Sequence, residues 1–207
     1  MHARDQKTDK RARILEAAVR VFAERGFFNA TVAEIARAAG VADETIYLYF
    51  KSKDDLLLQL FEEKMAELLA SAQRSLAEEE GAPAQLRRFI QHHLQAVEKS
   101  PQLAAVLIVE LRQSAQALRP QEKAQLQAYL DVIAQVVRAG QERGELTAGI
   151  SPSVVKRAIF GALDELALGW LRSGRCMSLR KTAGEVAEWL VRGLVAPEQF
   201  AQGGKSP

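Results

Sequence analysis

The chain has 207 residues, of which 48% are apolar and 26% charged, with one cysteine and a formal net charge of +2. These values exclude a collagen, a disulfide scaffold and a wholly disordered chain. No stretch reaches the roughly 18 apolar residues that a membrane span needs. The longest apolar run, Leu103 to Val109, stops at Glu110. The N-terminus is charged and lacks an apolar h-region, so it does not read as a signal peptide, and a cytoplasmic protein is expected. Cys176 has no His or Asp pattern around it and reads as an incidental thiol.

The charge is unevenly spread. Residues 1–53 hold ten Lys or Arg and seven Asp or Glu, giving +3, whereas residues 54–207 hold eighteen and nineteen, giving −1. Lys7, Lys10, Arg11 and Arg13 cluster at the start. Such a run is by itself a solvated face, and a nucleic-acid contact needs a motif to support it.

Taken in chain order, the apolar spacing is helical almost throughout, and an all-α fold of about nine helices is expected. Ile14, Ala17, Ala18, Val21 and Phe22 repeat at helical spacing up to Gly26. Thr31-Val32-Ala33-Glu34 is a capping box opening a second helix, which ends at Ala39 with Gly40 as its left-handed cap. Asp43 is placed to cap a third, short helix ending near Phe50. Ser52 to Asp55 opens a long helix with acids in its first turn, continued by Leu56, Leu57, Leu60, Phe61, Met65, Leu68 and Leu69. A helix after Pro83 carries Leu86, Phe89, Ile90, His93, Leu94 and Val97. Ser100-Pro101 starts another, Arg119-Pro120 a long one to Arg143, and Ser151-Pro152 one to about Arg172. Ser178 caps a last one ending at Leu194. The expected division is 1–53, 54–198 and a disordered tail, 199–207.

Two short helices separated by Gly40-Val41-Ala42 fit a helix-turn-helix, whose second helix enters a DNA major groove. In that helix Ile46 and Phe50 face inward, leaving Thr45, Tyr47 and Tyr49 outward or sideways. Tyrosine hydroxyls there can donate to phosphate oxygens, and Lys51 and Lys53 follow where they can meet the same strand. A half-buried core aromatic is the competing role for each tyrosine. The stretch GFFNATVAEIARAAGVADETIYLYFKSKDDLL resembles the N-terminal DNA-binding domain of the TetR family of bacterial repressors. The resemblance implies an all-helical homodimer, each subunit having a three-helix DNA-binding domain and a larger ligand-binding, dimer-forming domain. The DNA-facing set is then Lys7, Arg11, Thr31, Glu44, Thr45, Tyr47, Tyr49, Lys51 and Lys53. Many members have Lys and Gly where this chain has Asp43 and Glu44. Acids there repel phosphate, although Glu44 is placed to accept from a cytosine amino group.

Three further segments resemble one branch of the family, the acyl-CoA-responsive repressors of fatty-acid degradation: GVADETIYLYFKSKDDLLLQLFEEKM, ELRQS at 110–114 and AIFGALDELALGWL at 158–171. The resemblance implies that a medium- or long-chain acyl-CoA binds each subunit and releases the protein from DNA. Walls for such a chain are available in Leu94, Val97, Leu103, Val106, Leu107, Tyr129, Ile133 and Phe160. Core packing is the competing fate of each. CoA phosphates need cations, best as Arg, and Arg87, Arg88, Lys99, Arg112 and Arg119 are candidates, with Arg112 favoured by its place in ELRQS. Its competing role is an ion pair with Glu110 or Asp164, two acids that interrupt apolar stripes and join the ligand set. The helix 153–171 is apolar on nearly every side, so one face can meet a cavity and another a partner subunit. Leu163, Leu166, Trp170 and Trp189 are the interface candidates.

No catalytic or metal site is expected. Asp164 and Glu165 point about 100° apart on a helix and do not flank one substrate atom. His92 and His93 are adjacent rather than three or four apart, and His93 reads as a hydrogen-bonded core histidine. No cofactor is expected beyond the regulatory ligand. The sequence leaves two alternatives: a repressor of an efflux system with a promiscuous lipophilic inducer, and, from another class, an acyl-CoA-binding enzyme or carrier.

Overall fold

The computed structural model describes the backbone of residues 2–110 and 120–196, and their side chains except those of 2–8, 110, 121 and 122. Among the described residues the chain forms nine α-helices: α1 (His2–Arg25), α2 (Val32–Ala39), α3 (Asp43–Tyr47), α4 (Lys53–Ala77), α5 (Ala82–Lys99), α6 (Pro101–Ala105), α7 (Pro120–Glu142), α8 (Pro152–Arg172) and α9 (Leu179–Arg192). A π-helical turn, Val106–Glu110, continues α6. The one β-type pairing among the described residues is Leu146 against Val195. No described helix is long and apolar enough to cross a membrane. The expected tail, 199–207, lies outside the described residues.

The chain forms two compact units, Met1–Lys64 with Ser100–Lys123, and Met65–Lys99 with the residues from Ala124 on. This differs from a division after residue 53. Leu56, Leu57 and Leu60, in the first turns of α4, are buried in one cluster with Ile14, Phe22, Ile35, Ile46 and Phe50. Burial, rather than the helix start, sets the boundary.

Helix α2, with eight residues, is too short to hold itself in water, and its ends are tied by side chains. At the start of α2 the Thr31 hydroxyl accepts from Glu34 N at 3.2 Å, and the Glu34 carboxylate accepts from Thr31 N at 2.9 Å. At its end two arginines of α1 donate to orphan carbonyls, Arg13 to Ala39 O at 2.6 Å and Arg20 to Ala38 O at 3.1 Å. Gly40 then turns the chain at φ 66°, a conformation that L side chains resist. Helix α3 is shorter than the pattern suggests. It ends at Tyr47, and the amides of Tyr49 and Phe50 both return to Ile46 O at 3.0 Å. Nor does Asp43 cap it: Ala42 holds the N-cap position and makes no side-chain bond. Ser52 caps α4 instead, accepting from Asp55 N at 3.1 Å.

In the second unit α9 packs on α5 and α8, and α5 packs on α8. Glu98, on α5, accepts from Leu179 N at 3.1 Å and so caps α9, together with Ser178, which accepts from Lys181 N. Glu145 accepts from Ala82 N at the start of α5. Lys156, buried on α8, donates to Asp131 of α7 at 2.6 Å and holds that carboxyl below the usual carboxylate range. A Cβ on Gly140 would overlap Ala82 and Leu146, which explains a glycine inside α7.

Lys53 gives the sharpest test of how the first unit is held. Its ammonium donates to the carbonyls of Phe27 at 2.7 Å, Ala30 at 2.8 Å and Phe28 at 3.2 Å, and lies 4.6 Å from the Phe27 ring centre. Three donors meet three carbonyls of the α1–α2 loop. Lys53→Met is expected to destabilise this unit by about 1–3 kcal/mol, because carbonyls lose their partners. Amide hydrogen exchange over α1 and α2 would read it, and unchanged protection would show that Lys53 is dispensable to the fold.

Candidate functional site

The residues expected to face DNA separate into two groups. Glu44, Tyr47 and Lys51 are exposed, and Tyr47 shows 57% of its surface. The Lys51 ammonium has no partner among the described residues. These groups are available to phosphates and base edges at the helix-turn-helix surface. Thr45 is half-buried. Leu48 was not singled out by the pattern, yet it is 76% exposed at the end of α3, and an apolar residue so placed can meet a thymine methyl or a sugar. Its signal was present in the sequence: Ile46 and Phe50, four apart, turn inward and leave Leu48 opposite them.

The second group is engaged within the protein. Lys53, expected on phosphate, spends its donors on the α1–α2 loop. Arg11, also expected on DNA, pairs with Glu63, reaches Gln59 at 3.3 Å and lies over the Phe50 ring. Thr31 donates its hydroxyl to Glu34 at 2.9 Å and serves α2 as its cap. The Thr31 amide and hydroxyl are what keep the Glu34 carboxyl low. Tyr49 is half-buried, its ring 6.3 Å from that of Phe50 and packed on the cluster, the core role weighed for it above. The side chain of Lys7 lies outside the described residues.

The expected ligand wall is divided. Leu94, Val97, Tyr129 and Ile133 are buried in the second unit, with Phe160 half-buried beside His93. Leu103 and Val106 instead join the core of the first unit, where Val106 is fully buried, and half-buried Leu107 belongs to the same segment. The break lies at Ser100-Pro101, where the proline ends one helical run and starts another. Periodicity alone cannot reveal which core a helix face joins.

Two of the cations proposed for CoA phosphates have partners within the subunit. Arg87 pairs with Glu188 at 3.0 Å, tying α5 to α9. Arg88 donates to Ser75 and lies near Glu78 and Glu79. Both are tied to partners within the second unit. Arg112 and Arg119, and the side chain of Glu110, lie outside the described residues. Asp164 is half-buried and has an interaction partner.

Two interface candidates are corrected in the same way. Leu163 is fully buried within the chain, and Trp170 is buried with its indole N–H donating to Met177 O at 2.8 Å. Neither offers surface to a partner. Leu166 is half-buried, whereas Trp189 shows 71% of its surface.

At the centre of the second unit is a polar pair in apolar surroundings. His93 Nδ1 lies 2.9 Å from Tyr129 Oη. The Tyr129 ring packs on Phe89, tilted by 38° with centroids 5.1 Å apart, and the imidazole meets Phe160 edge-on at 6.0 Å. Burial pushes His93 down to about 4, with His92 a lesser cause, and pushes the Tyr129 phenol up. Both are neutral at physiological pH. His92 is also lowered, by burial first and then by Arg88, and its Nε2 meets Ser71 Oγ at 3.0 Å.

Because His93 titrates at 6.5 when unfolded and about 4 when folded, the unfolded chain takes the proton first as pH falls. Its contribution to stability is complete above 6.5 and is lost on descending to about 4, a difference of about 3 kcal/mol. Urea unfolding followed by Trp170 and Trp189 fluorescence should show a falling midpoint over that window, and His93→Phe should flatten part of the fall. An equal fall in both proteins would assign it to other groups.

Residues 61–193 match the family described as YsiA-like protein, C-terminal region, and residues 14–60 match bacterial regulatory proteins, tetR family. The fatty acid metabolism regulator protein of Bacillus subtilis (strain 168) is 36% identical over 189 residues, covering 91% of this chain and 97% of that protein. The crystal structure of the transcriptional regulator FadR from Bacillus subtilis, in complex with stearoyl-CoA, matches with a TM-score of 0.83 at 36% identity, covering 88% of this chain and 98% of that one. The fatty acid degradation regulator FadR from Bacillus halodurans gives a TM-score of 0.81 at 33% identity, with the same coverage of 88% and 98%. The chain belongs to the TetR family of bacterial transcriptional regulators, a family of DNA-binding proteins rather than enzymes, and is related to the Bacillus regulators of fatty-acid metabolism.

Proposed function

We propose that this protein is a repressor that binds palindromic operator DNA as a homodimer in the cytoplasm and is released by medium- or long-chain acyl-CoA, controlling genes of fatty-acid degradation. The observation that carries the reading is the likeness, over 88% of the chain, to a regulator whose crystal structure holds stearoyl-CoA. The buried aromatic and aliphatic side chains of α5, α7 and α8 are chemically suited to an acyl chain. With Arg87 and Arg88 paired within the second unit, Arg112 is the favoured candidate for the CoA phosphates, with Lys99 and Arg119 beside it.

Glu44, Thr45, Tyr47, Leu48 and Lys51 form the operator-facing set. Two copies of it must meet successive major grooves, about 34–36 Å apart. Ligand binding favours dimers whose spacing no longer fits, which is a shift of population rather than a blocked surface.

The dimer is proposed to form through the outer faces of α8 and α9. Gly161 and Gly169 on α8 and Gly184 on α9 have open space around a would-be Cβ. A glycine inside a helix costs about 1 kcal/mol against alanine, and nothing among the described residues explains these three. A second copy's helices approaching closely would. Trp189, exposed on α9, is the apolar anchor of that face.

Two experiments test the reading. Lauroyl-CoA should release the protein from a palindromic duplex chosen by selection from random DNA, with saturable quenching of tryptophan fluorescence, whereas free CoA and free laurate should not. Equal release by laurate and unrelated lipophiles would favour a promiscuous inducer of the efflux-repressor kind. Trp189→Glu should convert the dimer to a folded monomer in sedimentation velocity and cost at least tenfold in operator affinity, and a persistent dimer would place the interface elsewhere.

A further inference from the structure

Buried polar side-chain atoms are nearly always hydrogen-bonded, so each exception asks for an explanation. Among the described residues three such atoms are without a partner: His92 Nδ1, His93 Nε2 and Gln125 Oε1. All three belong to the second unit, on α5 and α7. His93 is the most enclosed of the three residues, with 8% of its surface exposed.

The protonation of its ring follows from its neighbour. Among the described residues the Tyr129 hydroxyl has one hydrogen-bond partner, His93 Nδ1. If Nδ1 carried the proton, both the phenolic hydrogen and the Nε2 lone pair would lack partners. If the phenol donates to Nδ1, a single group is left over, an Nε2–H donor. The second arrangement leaves the fewer buried groups unmet and is the favoured tautomer. Tyr129 thus fixes His93 as a neutral donor whose Nε2–H has no acceptor among the described residues.

The acceptor it awaits can be specified by chemistry. It must be neutral, because a carboxylate buried beside an uncharged imidazole would keep its full desolvation penalty. It must also sit within apolar walls, since Leu94 and Val97 follow on α5 and the Phe160 ring lies edge-on at 6.0 Å. A saturated acyl-CoA has a single acceptor on the apolar side of its sulfur, the thioester carbonyl. Its amides and phosphates belong nearer to water. We propose that His93 Nε2–H donates to the thioester carbonyl oxygen of the bound acyl chain, making His93 the residue that selects thioester over free fatty acid and Tyr129 the residue that positions it. The inference rests on the acyl-CoA reading above and names a contact within it.

The test compares lauroyl-CoA with S-dodecyl-CoA, a thioether of equal chain length in which a methylene replaces the carbonyl. Calorimetry on the full-length wild-type protein should show the thioester binding about tenfold tighter or more, the cost of stranding a buried donor. His93→Phe should bind the two with equal affinity. Tyr129→Phe, which frees the tautomer, should narrow the difference. The spectrum of 15N-histidine-labelled wild-type protein gives a reading that needs no variant. The chain has three histidines, and one Nε2–H signal should shift with the thioester and not with the thioether. Equal affinity of the wild type for both ligands would overturn the contact while leaving the acyl-CoA reading intact. Discrimination that survives in His93→Phe would also overturn it, because another group must then hold the carbonyl. Binding of neither ligand would remove the acyl-CoA reading itself.

Discussion

Helices of eight and five residues do not persist in water, because nucleation is costly and every end leaves polar groups unmet. The DNA-binding surface nevertheless rests on two of them, α2 and α3. What holds them is a division of labour. A shared cluster from Ile14 to Leu60 removes their apolar faces from water. Side chains from distant parts of the chain meet the ends: Arg13 and Arg20 at the close of α2, and Lys53 on the loop before it. Of the ten cations in residues 1–53, Arg13, Arg20 and Lys53 serve the protein's own carbonyls, and Arg11 pairs with Glu63. The cations left for DNA are fewer than the count suggests, and exposed Tyr47 and Lys51 gain weight accordingly.

The second unit solves the opposite problem. Its helices are long enough to be stable by packing, and its difficulty is to hold polar groups inside an apolar body. Lys156 meets Asp131, and Glu98 meets the N-terminus of α9. His93 is satisfied on one nitrogen by Tyr129 and unmet on the other. An unmet donor in a low-dielectric interior is costly unless something repays it. A ligand that brings its own acceptor would do so, and would turn a stability cost into selectivity, since only molecules carrying that acceptor recover it.

Much of the architecture was legible in the residues. The capping box at Thr31, the left-handed Gly40 and the Ser178 cap are local devices, and each appears as read. The family also followed from a contiguous motif. The site was legible only where its geometry is local. Ile46 and Phe50 turn inward as their spacing dictates, leaving Tyr47 in solvent. Lys53, Arg11, Arg87 and Arg88 were read as contacts for phosphates, and each meets a partner elsewhere in the chain, from 13 residues away for Arg88 to 101 for Arg87. Trp170 and Trp189 were both read as dimer-interface residues, yet Trp170 is buried within the chain and Trp189 is exposed.

By itself the sequence determined the helices, most of their ends and the motif that reads DNA, because hydrogen-bond caps and the 3.6-residue period act within a few residues. The tertiary structure alone decided which core each apolar stripe fills and which charges remain free. Val97 ends up on α5 and Val106 in the π-helical turn nine residues on, yet they lie in different units. Such assignments depend on contacts between segments far apart in the chain. A side chain's type states what it can bind, and only the fold states which partner reaches it first.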